Sequence, residues 1–433
     1  MSGSSIQKCE INDLLHDGRG VGRINGKAYF VDGALPDENV AFSTIKQKRN
    51  FAEGRMVEVL SASPFRREPA CQYFSRCGGC NLQHLDHDRQ IDYKQGHLVD
   101  ALNRSNIYPD RVIKPLKGAQ WGYRRRARLA VQRTRDNKIL LGFKHQKSNR
   151  IEPIESCLVI APALDIFLVE LPTILAAIEN IKLFEVELVA GDSQTAVAIS
   201  ASRSLSDSES DRLLSRFRSV DGEVQLWWKN STGEAYRRLD DGNGHLSYIT
   251  NDDVLIQFKP GQFIQVNSDI NSRMIEQVLN LVAPSLGGLA IDLFCGSGNL
   301  TLPLTKQFNQ VVGVEGFADL VEAAKINAQN NKITNVNFVA SDLTKSDELR
   351  ALMSNKGPID LIVLDPPRNG ASGVMPWVAE SGARQIIYIS CHSATMIRDI
   401  RLLHQAGYTL STAGVMDMFP HTSHIESMAI FKK

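Results

Sequence analysis

The sequence predicts a Rossmann-like α/β domain in its last third, a small all-β barrel at its N-terminus and an α+β region between them. In the last third, apolar strands alternate with helical runs of roughly 10–15 residues, which indicates βαβ units and a parallel sheet. Before residue 60, short apolar alternations are separated by turn segments, which indicates an all-β module. The region between these two patterns contains both strand-like and helical stretches.

The first two regions differ in local composition. Residues 1–60 hold the turn segments DGRG, INGK and DGALPDE between the alternations KAYFV and MVEVL. Residues 61–80 are loop-like and rich in cysteine, and residues 84–104 have the apolar spacing of a helix. From 123 to 260, strand-like stretches such as RARLAVQ and TAVAISA accompany one apolar helical stretch at 162–179. We therefore expect a compact barrel followed by an α+β region.

The last third begins with the strand LAIDLFC, followed by the helical run NLTLPLTKQF. The further predicted strands are VVGVE, NVNFVASD, IDLIVLDPP and QIIYISC, with helices at 317–330 and 393–406. YTLSTAGVMDMF and ESMAIFKK then read as two strands with no helix between them. A parallel sheet that ends in an antiparallel pair is typical of class I methyltransferases.

Composition narrows the class of protein. Of 433 residues, 43% are hydrophobic and 22% are charged, which is ordinary for a soluble globular protein. No run of ~18 apolar residues occurs, and the first residues lack the pattern of a signal peptide, so we expect a cytoplasmic protein without membrane contact. The formal net charge is only +1, so a nucleic acid would have to bind local basic patches.

Two such basic patches are present. The first comprises Lys46, Lys48, Arg49, Arg55, Arg66 and Arg67, and the second comprises Arg124, Arg125, Arg126 and Arg128. Charge alone favours a solvated surface for either patch over a nucleic-acid site.

A ligand site is indicated where the predicted parallel strands end. Gly296 and Gly298 follow the first strand and let the backbone approach a ligand at the start of a helix. Four acids lie within or directly after consecutive strands: Asp292, Glu315, Asp342 and Asp365. The dinucleotide fingerprint would need a small residue where Thr301 stands. The acids favour instead the S-adenosylmethionine site of class I methyltransferases.

Cys391 directly follows the strand QIIYIS, so its thiol is expected at the same edge of the sheet. The segments FCGSGN, LDPPRNG, ISCHSATMIRD and DMFPHTSHIESM together resemble the uracil-carbon-5 RNA methyltransferase family. The resemblance covers essentially the whole chain. It implies that Cys391 is the nucleophile and that Glu426, in HIES, is the base.

The implied reaction explains these two residue types. Carbon-5 of uracil is a poor nucleophile until a thiolate adds to carbon-6, and a base must later remove the carbon-5 proton. We therefore expect a lowered pKa for the Cys391 thiol. His421 and His424 are alternative bases, although a structural or RNA-facing role suits them better.

The resemblance also implies a set of contacts to the methyl donor, S-adenosylmethionine. The corresponding residues are Gln265, Phe294, Asn299, Glu315, Asp342 and Asp365. Asp342 departs from some family members, which have Asn there, and either side chain can face the adenine.

The chain has an odd number of cysteines and no signal peptide, which argues against a disulfide framework. The seven are Cys9, Cys71, Cys77, Cys80, Cys157, Cys295 and Cys391. Cys71, Cys77 and Cys80 form C-x5-C-x2-C, and Cys157 can supply a fourth thiolate. Zinc and an iron–sulfur cluster both suit four cysteines. The family resemblance implies a [4Fe–4S] cluster that acts as a structural tie.

The N-terminal barrel resembles a TRAM domain, an OB-like RNA-binding module. Family members that act on tRNA lack both barrel and cluster, so the combination implies one uridine of 23S ribosomal RNA as the substrate. A family member that modifies two sites is the alternative. The implied domains are the barrel (1–60), the iron–sulfur central domain (61–82 and 115–260) and the methyltransferase domain (83–114 and 261–433). We expect a monomer that needs no protein partner.

Two other classes of protein share some of these sequence features. A radical or redox iron–sulfur enzyme would leave one iron open by using three cysteines, typically C-x3-C-x2-C, whereas this chain has another spacing and a fourth cysteine. A noncatalytic RNA-binding protein would not need Cys391, Glu426 and Asp365 together.

Overall fold

The computed structural model describes residues 6–220, 224–230, 235–240, 242, 244–282 and 287–433. Its N-terminal part is a closed five-stranded barrel, as predicted. The strands are β1 (Ile6–Leu14), β2 (Gly20–Ile24), β3 (Lys27–Asp32), β4 (Glu38–Gln47) and β5 (Phe51–Ser61), in the order β1-β2-β3-β5-β4. β1 pairs with β4 to close the barrel around a core that includes Ile11, Val31 and Phe42.

The middle of the chain forms a seven-stranded sheet in the order β13-β12-β11-β10-β7-β8-β9. Its strands are β7 (Arg126–Arg133), β8 (Ile139–Lys144), β9 (Ile151–Pro153), β10 (Leu183–Ala190), β11 (Thr195–Ala201), β12 (Val224–Lys229) and β13 (Arg237–Arg238). Helix α2 (Pro162–Ala176) packs on β8 and β10. Helix α3 (Asp207–Phe217) begins at a capping box formed by Ser206 and Glu209, which explains the polar segment at this point.

The last third forms an eight-stranded sheet in the order β18-β17-β16-β19-β20-β22-β21-β6. Its strands are β6 (Arg111–Val112), β16 (Leu289–Leu293), β17 (Gln310–Glu315), β18 (Val336–Ala340), β19 (Ile359–Leu364), β20 (Gln385–Ser390), β21 (Thr409–Met416) and β22 (Glu426–Lys432). The strands from β16 to β20 are parallel, whereas β22 is antiparallel to both β20 and β21. This confirms the predicted parallel sheet with a terminal antiparallel pair.

Helices cover this sheet on both faces. They are α1 (His87–Asn103), α4 (Ser268–Leu281), α5 (Thr301–Leu304), α6 (Ala318–Asn330), α7 (Ser346–Met353), α8 (Met375–Glu380) and α9 (Ser393–Gln405). Every residue of β19 and β20 is buried, as expected for central strands packed on both faces. The helical run predicted after the first strand is only the short helix α5, which contains Pro303.

Two smaller elements connect parts of the chain that are distant in sequence. α1 packs on β21 and α9, and β6 pairs in parallel with β21, so the segment around 87–112 joins the C-terminal sheet. The hairpin of β14 (Leu246–Ile249) and β15 (Leu255–Phe258) packs on α6. No helix in the described part of the chain is both long and apolar enough to cross a membrane.

Candidate active site

The parallel register brings several predicted residues to one edge of the sheet. Asp292 of β16 pairs with Gly313 of β17 and Val363 of β19, so these strands end at the same level. The loop after β16 turns sharply, with φ of +64° at Phe294, +55° at Gly296 and +97° at Gly298. Glycine adopts this left-handed region without strain, whereas Phe294 is held in it by its N–H bond to the Val314 carbonyl, at 2.9 Å.

Glu315, at the end of β17, fixes the two adjoining loops to each other. Its Oε2 accepts a hydrogen bond from the Gly296 N–H at 3.0 Å, and its Oε1 accepts from Gly316 and Phe317 at 2.8 and 3.2 Å. The carboxylate is buried, and Oε2, which accepts only one of these bonds, keeps a lone pair for a further donor. Glu315 therefore combines a structural role with a free acceptor at the sheet edge.

Asn299 lies in a hydrogen-bond network that the sequence did not reveal. Its Oδ1 accepts from Tyr248 Oη at 2.8 Å and from Asn271 Nδ2 at 3.0 Å, and its Nδ2 donates to Asn271 Oδ1 at 2.8 Å. Tyr248 comes from β14 and Asn271 from α4. These contacts fix the orientation of the Asn299 amide.

Two buried acids face this region. Thr301 Oγ1 donates to Asp292 Oδ2 at 2.6 Å, and Gln265 Nε2 donates to Asp365 Oδ2 at 3.1 Å. Burial raises the pKa of Asp292 to about 7, and the charges of Asp365 and Glu315 add to this shift. The hydrogen bond from Thr301 acts in the opposite direction and lowers the pKa. Burial also raises the pKa of Asp365 to about 6, although the bond from Gln265 opposes the shift. Gln265 and Asp365 are thus in direct contact.

Asp342 lies farther out, after β18, at the edge of the sheet. Its Oδ2 is 2.8 Å from Lys345 Nζ, and its Oδ1 accepts from the Thr344 backbone and hydroxyl. The bonds from Lys345 and then Thr344 lower the pKa of this carboxyl. Asp342 is therefore an ionised acceptor with its own local partners, separate from the buried acids.

Cys391 and Glu426 are brought together by the antiparallel pairing of β20 and β22. Ser390 pairs with Ser427, so the next residue on each strand, Cys391 and Glu426, occupies a facing position. Burial, then Glu426 and Asp365, raise the pKa of the Cys391 thiol to about 11, with Arg368 opposing them. The expectation of a lowered thiol pKa is wrong, because burial, and then the carboxyl groups of Glu426 and Asp365, raise it.

Glu426 is fully buried. Burial and then the neighbouring Asp365 raise its pKa well above the ordinary value, and Arg368 opposes the shift. Arg368, two residues beyond Pro366 in LDPPRNG, is the cation that acts on both groups and was missed by the sequence interpretation. Its position directly after Asp-Pro-Pro was the available signal.

The two histidines differ in surroundings. His421 is buried, and its ring stacks on Trp121 at a centroid distance of 3.9 Å. Its backbone N–H donates a hydrogen bond to the side-chain oxygen of Gln90. Burial and then Arg368 lower the pKa of His424 to about 4. A structural role for His421 fits these contacts.

Cys71, Cys77, Cys80 and Cys157 line one cavity of about 510 Å³, which also reaches Phe263, Arg368, Phe419 and His424. All four cysteines are free thiols. Within the described residues, no group of three or more His, Cys, Asp and Glu side chains is arranged to hold a metal ion. The four thiols therefore share a cavity that extends to Arg368 and His424. Within the described residues they are not arranged as a set of metal ligands.

The second basic patch is only partly accessible. Arg125 is buried over the Tyr248 ring at 4.3 Å, and Arg126 is buried with its Nε 2.5 Å from Glu187 Oε1. Arg124 is half-buried and Arg128 is exposed. Two of the four arginines, Arg125 and Arg126, are thus buried and are not available on the protein surface.

The doubly wound sheet, the glycine loop and the acids at its edge define the methyltransferase fold, with a barrel attached at the N-terminus. A model of the tRNA (Uracil-5-)-methyltransferase family matches residues 86–433, and a TRAM domain model matches residues 5–57. The chain belongs to this uracil-5-methyltransferase family and carries a TRAM domain.

Curated relatives match along the whole chain. Proteins named 23S rRNA (uracil(1939)-C(5))-methyltransferase RlmD share 36% identity in Legionella pneumophila strain Lens, with 99% of this chain and 97% of the relative covered. The relative from Alkalilimnicola ehrlichii is 39% identical, with 98% of this chain and 96% of the relative covered. The relative from Stenotrophomonas maltophilia strain R551-3 is 40% identical, with 98% of this chain and 96% of the relative covered.

Among solved structures, the Pyrococcus abyssi tRNA (uracil-54, C5)-methyltransferase in complex with S-adenosyl-L-homocysteine has a similar fold. The TM-score is 0.77 at 22% identity, with 98% of this chain and 100% of that chain covered.

Proposed function

We propose that the protein transfers a methyl group from S-adenosylmethionine to carbon-5 of a specific uridine in 23S ribosomal RNA, forming 5-methyluridine. The observation that carries this proposal is the facing pair Cys391 and Glu426 at the sheet edge, beside Asp365. Family membership and the names of the full-length relatives support the substrate.

The nucleophile in this proposal is Cys391. Because stacked bases are inaccessible, the uridine must leave its stack and enter the cavity before the thiol can reach it. The Cys391 thiol gives up its proton to solvent, its Sγ forms a bond to carbon-6, and the π electrons of the carbon-5–carbon-6 bond move toward O4 as an enolate. Carbon-5 then forms a bond to the methyl carbon while the bond between that carbon and the sulfur of the methyl donor breaks, and S-adenosylhomocysteine leaves.

Glu426 acts after methyl transfer. It accepts the carbon-5 proton, the released electron pair re-forms the double bond, and the thiolate leaves carbon-6. A carboxyl group with a raised pKa is suited to this exchange near neutral pH. Arg368, whose charge acts on both Cys391 and Glu426, would offset the negative charge of the enolate.

S-adenosylmethionine supplies an electrophilic methyl group when bound. The proposed contacts are Gln265, Phe294, Asn299, Glu315, Asp342 and Asp365. The glycine loop, the oriented Asn299 amide and the acceptor oxygens of Glu315 and Asp342 suit the amino-acid and ribose groups of such a ligand.

We further propose that Cys71, Cys77, Cys80 and Cys157 hold a [4Fe–4S] cluster. Four free thiols lining one cavity are the donor set that such a cluster requires. Because Cys157 is distant in sequence from the other three, the cluster would tie two loops together. The cavity lined by the four cysteines is also lined by Arg368 and His424, so a cluster that links the two loops would support the RNA-binding side of the site.

The division of labour among domains follows the same proposal. The barrel (1–60) would bind RNA, the central domain (61–82 and 115–260) would hold the cluster, and the methyltransferase domain (83–114 and 261–433) would catalyse the transfer. In this proposal the protein acts as a monomer and needs no protein partner. A 23S substrate would place the protein in the cytoplasm, where ribosomal RNA is made.

The test is incubation with labelled S-adenosylmethionine and unmodified ribosomal RNA, followed by nucleoside analysis and mapping of the label. We expect 5-methyluridine at one position. Label at two positions, or in tRNA only, would instead support the alternative substrates of this family.

Two variants test the covalent route. Cys391→Ala should lose both methylation and the covalent complex, whereas Glu426→Gln should methylate once and remain as an enzyme–RNA adduct in denaturing gels. Cys295→Ala is the matched thiol control, since Cys295 is buried beside the glycine loop. Normal turnover by Glu426→Gln would exclude Glu426 as the base.

A further inference from the structure

The loop that carries Arg368 is fastened to helix α9, which begins two residues after Cys391. Thr395 Oγ1 shares its proton between the Arg368 carbonyl at 3.1 Å and the His392 carbonyl at 3.0 Å, and Arg398 Nη2 donates to the Asn369 carbonyl at 2.9 Å. The Ala371 N–H donates to Asp399 Oδ2 at 2.6 Å. Three side chains on one face of a helix therefore bind three backbone groups of one loop.

Asp399 is the centre of this arrangement and is only 1% exposed. Its Oδ2 also accepts from Tyr388 Oη at 2.7 Å, and its Oδ1 accepts from Arg398 Nε at 2.8 Å. Tyr388 belongs to β20, the strand that leads to Cys391. The buried carboxylate thus links the strand, the helix and the loop, with its charge satisfied by several donors.

The close approach of loop and helix depends on Gly370. Its φ is +77°, and a Cβ there would lie 2.5 Å from Asp399 Oδ2 and 2.6 Å from Arg398 Nη2. A glycine is required at this position for both its conformation and its lack of a side chain. The local sequence is therefore built for this contact.

We infer that Thr395, Tyr388, Arg398 and Asp399, here named the α9 clamp, are positioning residues that hold Arg368 against Cys391 and Glu426 during the reaction. The inference rests on the proposed function. Thr395, Arg398 and Asp399 act through Arg368, since they bind the backbone of its loop, and Tyr388 acts through Asp399. Arg368 lines the same cavity as His424, two residues before Glu426, and α9 begins two residues after Cys391.

A double-mutant cycle tests this role. Thr395→Val and Tyr388→Phe each remove one clamp hydrogen bond while keeping the side-chain shape, and each is made in the wild-type and Arg368→Gln backgrounds. The rate of covalent adduct formation with 5-fluorouridine RNA is measured under single turnover. In the wild-type background each variant should slow the reaction roughly fivefold, with the Kd for RNA unchanged.

In the Arg368→Gln background the same substitutions should have no further effect. Equal losses in both backgrounds, or none in either, would overturn the inference, because the clamp would then act on general stability or not at all. Thr409→Val is the matched control: Thr409 Oγ1 also donates to a backbone carbonyl, that of Lys432 at 3.2 Å, but in β21 away from the loop.

A second readout separates this inference from the proposed function. Alkylation of Cys391 by iodoacetamide in RNA-free protein, followed by peptide mass analysis, depends on the nearby charge of Arg368 but requires no RNA chemistry. Clamp variants should slow it as Arg368→Gln does. If wild-type protein forms no adduct yet the clamp variants slow alkylation, the proposed function fails and the positioning role remains.

Discussion

Lys94 of α1 and Asp417, directly after β21, form a buried ion pair in which Nζ is 2.7 Å from Oδ1 and each side chain is 1% exposed. Lys94 Nζ also donates to the Phe419 carbonyl at 3.0 Å, and His87 Nε2 lies 2.7 Å from Asp417 Oδ2. Burial would raise the pKa of Asp417, but the His87 bond and the Lys94 charge outweigh it and hold the pKa low. The pair thus fixes the segment that leads to Glu426.

Removing only the lysine of this pair should strongly destabilise the protein. Lys94→Met leaves Asp417 buried without its cation, which typically costs about 3–5 kcal/mol. The free energy of unfolding from urea titration measures the loss. Lys117→Met is the control, because Lys117 pairs with Asp88 at the surface, where water and salt screen the pair and its loss should change the free energy of unfolding little. Equal losses for the two variants would contradict the assignment.

Asp292 should make the stability of the ligand-free protein fall as pH rises. Its folded-state pKa is raised to about 7, so between about pH 4 and pH 7 the native state holds a proton that the unfolded state has lost. The contribution of Asp292 to the free energy of unfolding is present in full below about pH 4 and is lost as the pH rises through about 7. Asp292→Asn should reduce the slope of unfolding free energy against pH, whereas Asp347→Asn, on an exposed acid of α7, should not.

The cysteine cluster predicts a defined metal content. Protein purified without oxygen should be brown and contain about four irons per chain if the cluster is [4Fe–4S]. Cys157→Ser should lower both the iron content and the thermal stability, since the tie between two loops is lost. Cys9→Ala alters a buried thiol of the barrel and should leave the iron content unchanged. Stoichiometric zinc in place of iron would overturn the cluster assignment.

The barrel should supply phosphate contacts through its exposed basic loop. Replacing Lys46, Lys48 and Arg49 with Gln should weaken RNA binding and reduce the slope of log K against log salt by up to about 0.7–0.9 per lost contact. Binding of S-adenosylmethionine should stay the same. Arg212, Arg216 and Arg218, exposed at α3, form a charge-matched control set. An equal effect of the control set would indicate unspecific attraction.

The sequence predicted those features that depend on local order. Strand-ending acids such as Glu315 and Asp365 meet at one edge because consecutive βαβ units leave parallel strands in register. Gly296 and Gly298 were recognised for a similar reason, since the loop after β16 needs their left-handed conformation.

Features that depend on packing between distant segments were not predicted. Tyr248, Asn271 and Asp399 gain their roles only when β14, α4 and α9 pack beside the loops they bind. The raised pKa of Cys391 has the same origin, because Glu426 and Asp365 reach it from other strands. Spacing along one strand carries no information on such neighbours.

The separation of Lys94 and Asp417 by 323 residues has a consequence for biosynthesis. A ribosome that adds about 5–20 residues per second needs roughly 16–65 s to go from one to the other. During that interval α1 has emerged while the strand it packs on has not yet been made. The nascent chain therefore holds α1 without its partner until residue 417 has been made, and a product terminated before that residue lacks both Asp417 and Glu426.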